Sequence, residues 1–461
     1  DRMFDCPQNL REEEMFEVPE WAANKVVYQI FPSRFAATEP VDKELWYKAP
    51  ITPMDDLHGN LRGIIEHMDD IQNLGIDVLY MTPIFQSNSC HKYDTTDYYK
   101  IDPSFGTTED LKELVQKAHE RGMKVVLDAV YNHTGREFFA FADILENGEK
   151  SKYRDWYFID GFPLKSEWGE IPNFKCFGYY GGMPKLNLKN PEVEKYITDV
   201  ACYWIKECDI DGWRLDVGDE ISHFFWKNFR KAVKAVKKDL LIIGEIWHYA
   251  GDFLEGDEWD TVMNYPFYLN LIDLLADEKI TVSQFVQNLG YLKGRLNKNC
   301  YPLMWNLIDS HDTARFLHLC NDNKKKQHLA AAFQLLLPGM PMIYYGDEYA
   351  MPGANDPDCR RGMYWDEEYQ DKEMYEWYKR LIQVRKSHAC IVEGELAGIV
   401  TEDEEGTVVL IRKNGEETIA MIFNCSSSAK KFNEYTEKYN LLTENTFDGN
   451  VEGFDAAVIV L

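Results

Sequence analysis

The sequence predicts an α/β fold: a (β/α)8 TIM barrel with a loop subdomain inserted after its third strand and a C-terminal antiparallel β domain. Three observations carry that prediction. Eight short apolar runs recur up to residue 345, and amphipathic helical patterns separate most of them. Strands that alternate with helices imply a parallel sheet, and eight such units imply a closed barrel. No glycine-rich phosphate turn follows the first run, which counts against an open doubly wound sheet.

The runs come in order. VVYQIF (26–31) and IDVLYM (76–81) have the β-branched and aromatic character that strands favour. MKVVLD (123–128) follows the amphipathic segment TTEDLKELVQKAHERGM (107–123). There Thr107 or Thr108 can cap a helix, Leu111, Leu114, Val115 and Ala118 form its apolar stripe, and Gly122 stops it. DGWRLD (211–216), LLIIGE (240–245), TVMNY (261–265), PLMWNLID (302–309) and GMPMIYY (339–345) complete the set.

The interval 134–210 between the third and fourth runs is too long for a plain connection. Its part 135–187 is rich in Gly, Pro and aromatic residues and reads as a B subdomain at the barrel mouth. The barrel then comprises 1–134 and 188–388. From 389 the pattern changes: GTVVLIRKNGEETIAMIFN (406–424) has β-rich runs around Asn414-Gly415, a hairpin signal, and AAVIVL ends the sequence. Residues 389–461 are therefore expected to form the C-terminal β domain.

Composition narrows the partners. The 461 residues are 45% hydrophobic, enough for a large core. Lys and Arg total 50 against 78 Asp and Glu, a net charge of -28. That balance argues against nucleic acid, anionic membrane surfaces and phosphorylated substrates, and leaves neutral ligands unaffected. Twelve Trp and 27 Tyr suit a carbohydrate binder, because sugar C–H faces stack on rings while hydroxyls seek polar groups. Ten cysteines show no CxxC spacing, so no zinc site is expected, and a chain of this length needs no disulfides. Neither a signal-peptide pattern nor a membrane-length apolar stretch is present, so the expected location is the cytoplasm.

The chemistry lies where apolar runs end on acids: Asp128, Asp216 and Glu245, with Asp312 just past the seventh run. In GWRLDV, strand alternation puts Arg214 and Asp216 on one face and Trp213 and Leu215 on the other. A buried ion pair is one reading. The other is that Arg214 keeps Asp216 ionised as a nucleophile. Glu245 follows four aliphatics, a poor solvent that favours the proton-bearing form a general acid needs. Adjacent strands bring carboxyls close to the roughly 5–5.5 Å separation of a retaining glycosidase. In SHDT (310–313), His311 can donate to a sugar hydroxyl and Asp312 can accept from two. Asp128 reads as scaffold, with Asn132 and His133 at the mouth. No GxSxG elbow or EF-hand loop is found.

DAVYNH (128–133), GWRLDVGDE (212–220), GEIWH (244–248) and NLIDSHDT (306–313), in this order and spacing, resemble the α-amylase superfamily of glycoside hydrolases, family 13. The resemblance covers nearly the whole chain. MPKLN (183–187), YQIFPSRFA (28–36), HKYDTTDYYKIDPSFGT (91–107) and NDPDCRRGMYWDE (355–367) look like its neopullulanase, cyclomaltodextrinase and maltogenic amylase branch.

The resemblance implies retaining hydrolysis of α-1,4-glucosidic bonds in maltooligosaccharides or cyclodextrins, with α-glucan transglycosylation as the alternative. A catalytically dead sugar-binding barrel is disfavoured, since all three catalytic acids are present. It also implies roles. Asp216 would be the nucleophile, Glu245 the acid/base and Asp312 the transition-state stabiliser. Arg214, His133 and His311 would surround the sugar at the cleavage point, with Tyr93 stacked under it and His91 and Asp94 beside it. Asp356 and Arg360 would hold the next sugar toward the non-reducing end, and Trp247 would line the acceptor side.

Four departures stand out. DVGDE replaces the branch's usual DVANE, so Asp219 adds charge on the acceptor side. Glu220 stands where many α-amylases carry a calcium-ligating His. The loop AATEPVDKE (36–44) is a poor ligand set. No metal or other cofactor is expected, calcium being the one candidate weighed. Relatives carry an N-terminal β domain that helps build a dimer. Only some 25 residues precede the first run here, so a monomer or weak homodimer is expected.

Overall fold

A computed structural model describes residues 16–461 except Glu416; Cys6 and the first 15 residues of the expected 1–134 segment lie outside the described residues. Eight parallel strands close a barrel: β1 (Val27–Ile30), β2 (Val78–Met81), β3 (Lys124–Ala129), β4 (Gly212–Leu215), β5 (Leu241–Gly244), β6 (Thr261–Asn264), β7 (Trp305–Leu307) and β8 (Met340–Tyr344). Each pairs with its neighbours in chain order, and β8 returns to β1. Every expected run contains one strand. The ends are shorter where proline intervenes: Tyr301–Leu303 is a 3-10 turn, because Pro302 has no N–H to give to a ladder.

Alternation along the strands divides two cores. Val27, Val78, Tyr80, Val126, Ile243, Trp305 and Met342 fill the barrel interior. Leu79, Leu127, Trp213, Leu215 and Ile242 face outward into the layer of helices. Helix α1 (Thr108–Glu120) opens on a capping box between Thr107 and Asp110 and buries Leu111, Leu114, Val115 and Ala118. Its C-cap is Arg121, and Gly122 follows at φ 73°. Asn190 and Pro191 start α2 (Pro191–Cys208), which leads into β4.

Between β3 and α2 the chain makes a short helix (Phe139–Asn147) and then folds back through isolated bridges that pair Tyr157 with Leu186, Cys176 with Pro184 and His133 with Lys185. Phe141, Trp156, Tyr157, Phe174 and Leu186 are buried beneath it. MPKLN is thereby laid against the end of β3.

After the barrel, β9 (Glu395–Glu402), β10 (Thr407–Asn414), β11 (Glu417–Asn424) and β12 (Asp455–Val460) form an antiparallel sheet. The β10–β11 hairpin pairs Asn414 with Glu417, and Gly415 takes φ 60° at the turn. Phe423 of β11 stacks at 4.2 Å on Phe333 of the helix Lys324–Leu336, which docks the sheet on the barrel. Among the described residues no helix is long and apolar enough to cross a membrane.

Candidate active site

β3 and β4 are in register with Asp128 opposite Arg214, and both side chains point inward. Arg214 is fully buried. Its Nη1 donates to both Asp128 oxygens at 3.0 and 3.1 Å and to Asp216 Oδ1 at 3.2 Å. Its Nη2 lies 2.6 Å from Glu245 Oε2, an ion pair without hydrogen-bond alignment. Asp128 also accepts from the hydroxyls of Tyr80 (2.6 Å) and Tyr93 (2.8 Å). One guanidinium thus serves three buried carboxylates.

Asp216 and Glu245 extend β4 and β5 by one residue, with backbone N–H groups donating to Ala129 (3.1 Å) and Leu215 (2.9 Å). The chain then turns sharply. Val217 takes φ 47°, ψ 42°, left-handed backbone that a β-branched residue rarely adopts. That conformation aims the Val217 N–H at Glu245 Oε2, 3.2 Å away. At Gly218 a Cβ would sit 2.8 Å from the ring of buried Trp259, so the glycine in DVGDE answers to packing. Asp216 Oδ2 is buried with no hydrogen-bond partner among the described residues.

Arg214 does act to lower the Asp216 pKa, but burial opposes it. Burial raises the Asp216 pKa well above the carboxylate range, and Glu245 adds to the rise; Arg214 offsets this only in part. Asp128 takes two of the Nη1 contacts and Asp216 only one. Asp128 itself is pushed up to about 6 by burial despite the guanidinium.

Tyr93 lies between this cluster and β7. Its ring is parallel to that of His311, 5.6 Å away and tilted by 7°. Its hydroxyl meets Asp128 Oδ2 on one side and His311 Nε2, at 2.7 Å, on the other. Gln29 Nε2 approaches His311 Nδ1 at 2.7 Å. If the tyrosine proton goes to the carboxylate, His311 carries its own on Nε2, also 3.3 Å from Asp312. Burial, with Arg360 and Arg214 nearby, keeps His311 neutral, its pKa far below the usual value.

His133 Nε2 is 3.0 Å from the Tyr93 carbonyl, and burial lowers its pKa to about 4. His91 Nδ1 accepts from the Tyr93 N–H at 3.0 Å, and burial lowers its pKa too. Asp94 accepts from the hydroxyls of Ser87 and Ser89. On the far side Arg360 donates to the His311 carbonyl at 2.9 Å and pairs with Asp356 at 2.8 Å and Asp312 at 3.5 Å. Trp247, 41% exposed, donates to Glu245 Oε1 at 3.1 Å and lies flat on Tyr265 at 3.8 Å. Every site residue expected from the sequence therefore joins one continuous network.

The sequence reading had not named Tyr80, Gln29 or Tyr265, which hold Asp128, His311 and Trp247. It had not named Lys185 as a functional residue either, although MPKLN was singled out. Lys185 donates to Asn132 Oδ1 and, at 2.8 Å, to the Glu220 carbonyl, while Asn132 Nδ2 reaches the Glu220 carboxylate at 3.4 Å. Lys185 thus brings an ammonium among these oxygens. Asp219 Oδ2 faces His248 Nε2 at 3.3 Å, just beyond Trp247.

Comparison with known proteins agrees with this geometry. The family description "Alpha amylase, catalytic domain" matches residues 29–394. A cyclomaltodextrinase of Geobacillus thermopakistaniensis (strain MAS1) is 46% identical over 430 residues, 92% of this chain and 73% of that protein. An intracellular maltogenic amylase of Bacillus subtilis is 41% identical over 420 residues, 90% of this chain and 71% of that one. Among solved structures, the cyclic alpha-maltosyl-(1→6)-maltose hydrolase of Arthrobacter globiformis superposes with a TM-score of 0.88 at 35% identity, over 96% of this chain and all of that one.

Proposed function

The chain belongs to the α-amylase family of glycoside hydrolases, and from that premise we propose that it is a retaining enzyme opening α-1,4-glucosidic bonds of maltooligosaccharides and cyclodextrins. One observation carries the reading: the buried, unpartnered Oδ2 of Asp216 beside Arg214 and Glu245. An oxygen without a protein partner at that depth is free to bond to an anomeric carbon. Asp216 attacks that carbon as the carboxylate that Arg214 stabilises, while Glu245, which carries the proton, gives it to the leaving oxygen. Glu245 then takes a proton from water, which releases the sugar from Asp216.

Tyr93, flat and anchored at both hydroxyl contacts, supports the sugar ring, with His91 and Asp94 at its edge. His133, His311 and Asp312 face its hydroxyls. Asp356 and Arg360 take the next sugar, and Trp247 the leaving one. The name of the Arthrobacter relative supports α-1,6 bonds as further substrates. That of the Bacillus subtilis relative supports a cytoplasmic site of action. Within this reading residues 135–187 form the B subdomain and 389–461 the C-terminal unit.

Asp216→Asn and Glu245→Gln test the mechanism. Each should abolish hydrolysis of maltotriose and β-cyclodextrin, and NMR should show the wild-type product emerging as the α-anomer. Wild-type rates in either variant, or a β-anomer, would sink it. Transglycosylation is the second reading, favoured by the open ring of Trp247 beside Glu245. Longer transfer products at high maltose concentration would reveal it.

A further inference from the structure

Outside the catalytic network, Tyr249 and Tyr291 enclose the guanidinium of Arg295, whose central carbon lies 4.2 and 4.9 Å from the two ring centroids. Together with Leu269, Asp273 and Asn288 they line a cleft of about 320 Å³. Tyr291 is 67% exposed, and Leu269 is also open to solvent. Contacts hold the platform together. The Tyr249 hydroxyl donates to the Arg295 carbonyl at 3.0 Å, and the cation holds both rings in place. The Asn288 amide is fixed as well: it donates to Asn270 Oδ1 at 2.9 Å, and Asn270 donates in turn to the Phe285 carbonyl at 3.0 Å.

Exposed rings interleaved with a carboxylate, an amide and a guanidinium match the two kinds of surface a sugar presents. C–H faces stack on tyrosine, and hydroxyls pair with the polar groups. The chain's net charge of -28 disfavours an anionic occupant. Segments of the catalytic centre lead directly into the cleft wall. Tyr249 lies two residues beyond Trp247. Tyr265, on which Trp247 stacks, is followed directly by Pro266 and Phe267, which form part of the cleft wall.

We infer that this cleft is a second carbohydrate site, which takes the remote part of a longer α-glucan whose leaving end runs past Trp247. The inference rests on the reading of the enzyme as an α-glucan hydrolase. Such a site adds affinity only for chains long enough to reach it, and adds it equally to ground and transition states. It therefore acts on KM and leaves kcat alone.

The test compares soluble amylose with maltotriose in the wild type, Tyr291→Ala, Tyr291→Phe and Arg295→Met. Tyr291→Ala should raise KM for amylose about three- to tenfold, the size of one lost ring contact, with kcat and the maltotriose constants unchanged. Tyr291→Phe should behave as wild type. Arg295→Met, which frees both rings, should follow the alanine variant. Calorimetric titration of amylose into Asp216→Asn with and without Tyr291→Ala should show the same weakening without turnover. Unchanged amylose KM in Tyr291→Ala, or a parallel rise for maltotriose, would overturn the second site while leaving the hydrolase reading intact. Wild-type protein that cleaves neither substrate would overturn both.

Discussion

Arg214→Met removes the single cation that three buried carboxylates share while keeping an apolar stem of similar length. The wild-type guanidinium makes two contacts to Asp128, one to Asp216 and an ion pair with Glu245. Breaking one buried pair from one side costs about 3–5 kcal/mol, because the other charge is left uncompensated. That range is the expected loss near pH 8. The loss should shrink in acid. Asp128 already has a folded-state pKa of about 6, above the ordinary 3.8. Between those values the folded state binds more protons than the unfolded one, so this group favours folding as pH falls through 6. Without Arg214 the upward shift grows, and the relief on protonation grows with it. Urea denaturation at about pH 8 and about pH 5, in wild type and variant, measures both effects. A loss below about 1 kcal/mol at the higher pH, or equal losses at the two, would refute the shared-cation account. Arg214→Lys, which keeps the charge but loses the fork, should fall between.

Other consequences are equally measurable. Tyr93→Phe removes the hydroxyl between Asp128 and His311; a hydrogen bond to a charged group contributes about 1.5–3 kcal/mol, so kcat/KM on maltotriose should fall roughly 10- to 100-fold. Unchanged kinetics would take that hydroxyl out of the catalytic centre. Gly218→Ala, although it restores a residue usual in the branch this chain resembles, drives a methyl against Trp259. It should cost about 1–3 kcal/mol, read as a lower thermal midpoint. An unchanged midpoint would mean that Trp259 yields. His133 should titrate by NMR near 4. Its depressed value means that its contribution to stability is complete above the ordinary 6.5 and is lost as pH falls from there toward 4, opposite in sign to Asp128. A midpoint above 6 would contradict its burial.

The barrel was legible because parallel strands covered on both faces read as unbroken apolar runs, and none of the eight needed tertiary information to be found. The convergence of Asp128, Asp216, Glu245 and Asp312 followed from their places at or just past strand ends. Two things were not legible. An inward tyrosine such as Tyr80 looks the same in sequence whether it fills a core or holds a carboxylate. The same ambiguity hides Gln29 and Tyr265. Nor could spacing along β4 show that Asp128, on a neighbouring strand, takes the better share of Arg214. Pair reasoning on Arg214 and Asp216 gave the direction of that one interaction but not the larger, opposing effect of burial. Burial is the larger effect, and only the closed barrel sets it.

The left-handed backbone at Val217 bears on how this chain could change over time. A β-branched residue held there costs of order 1–3 kcal/mol, which the surrounding packing must supply in every resting molecule. Glycine or asparagine would relax the turn and make the chain sturdier, but would also loosen the hold on Asp216 and the N–H directed at Glu245. Selection for durability and selection for turnover therefore pull in opposite directions at one residue, next to the carboxylate on which both depend.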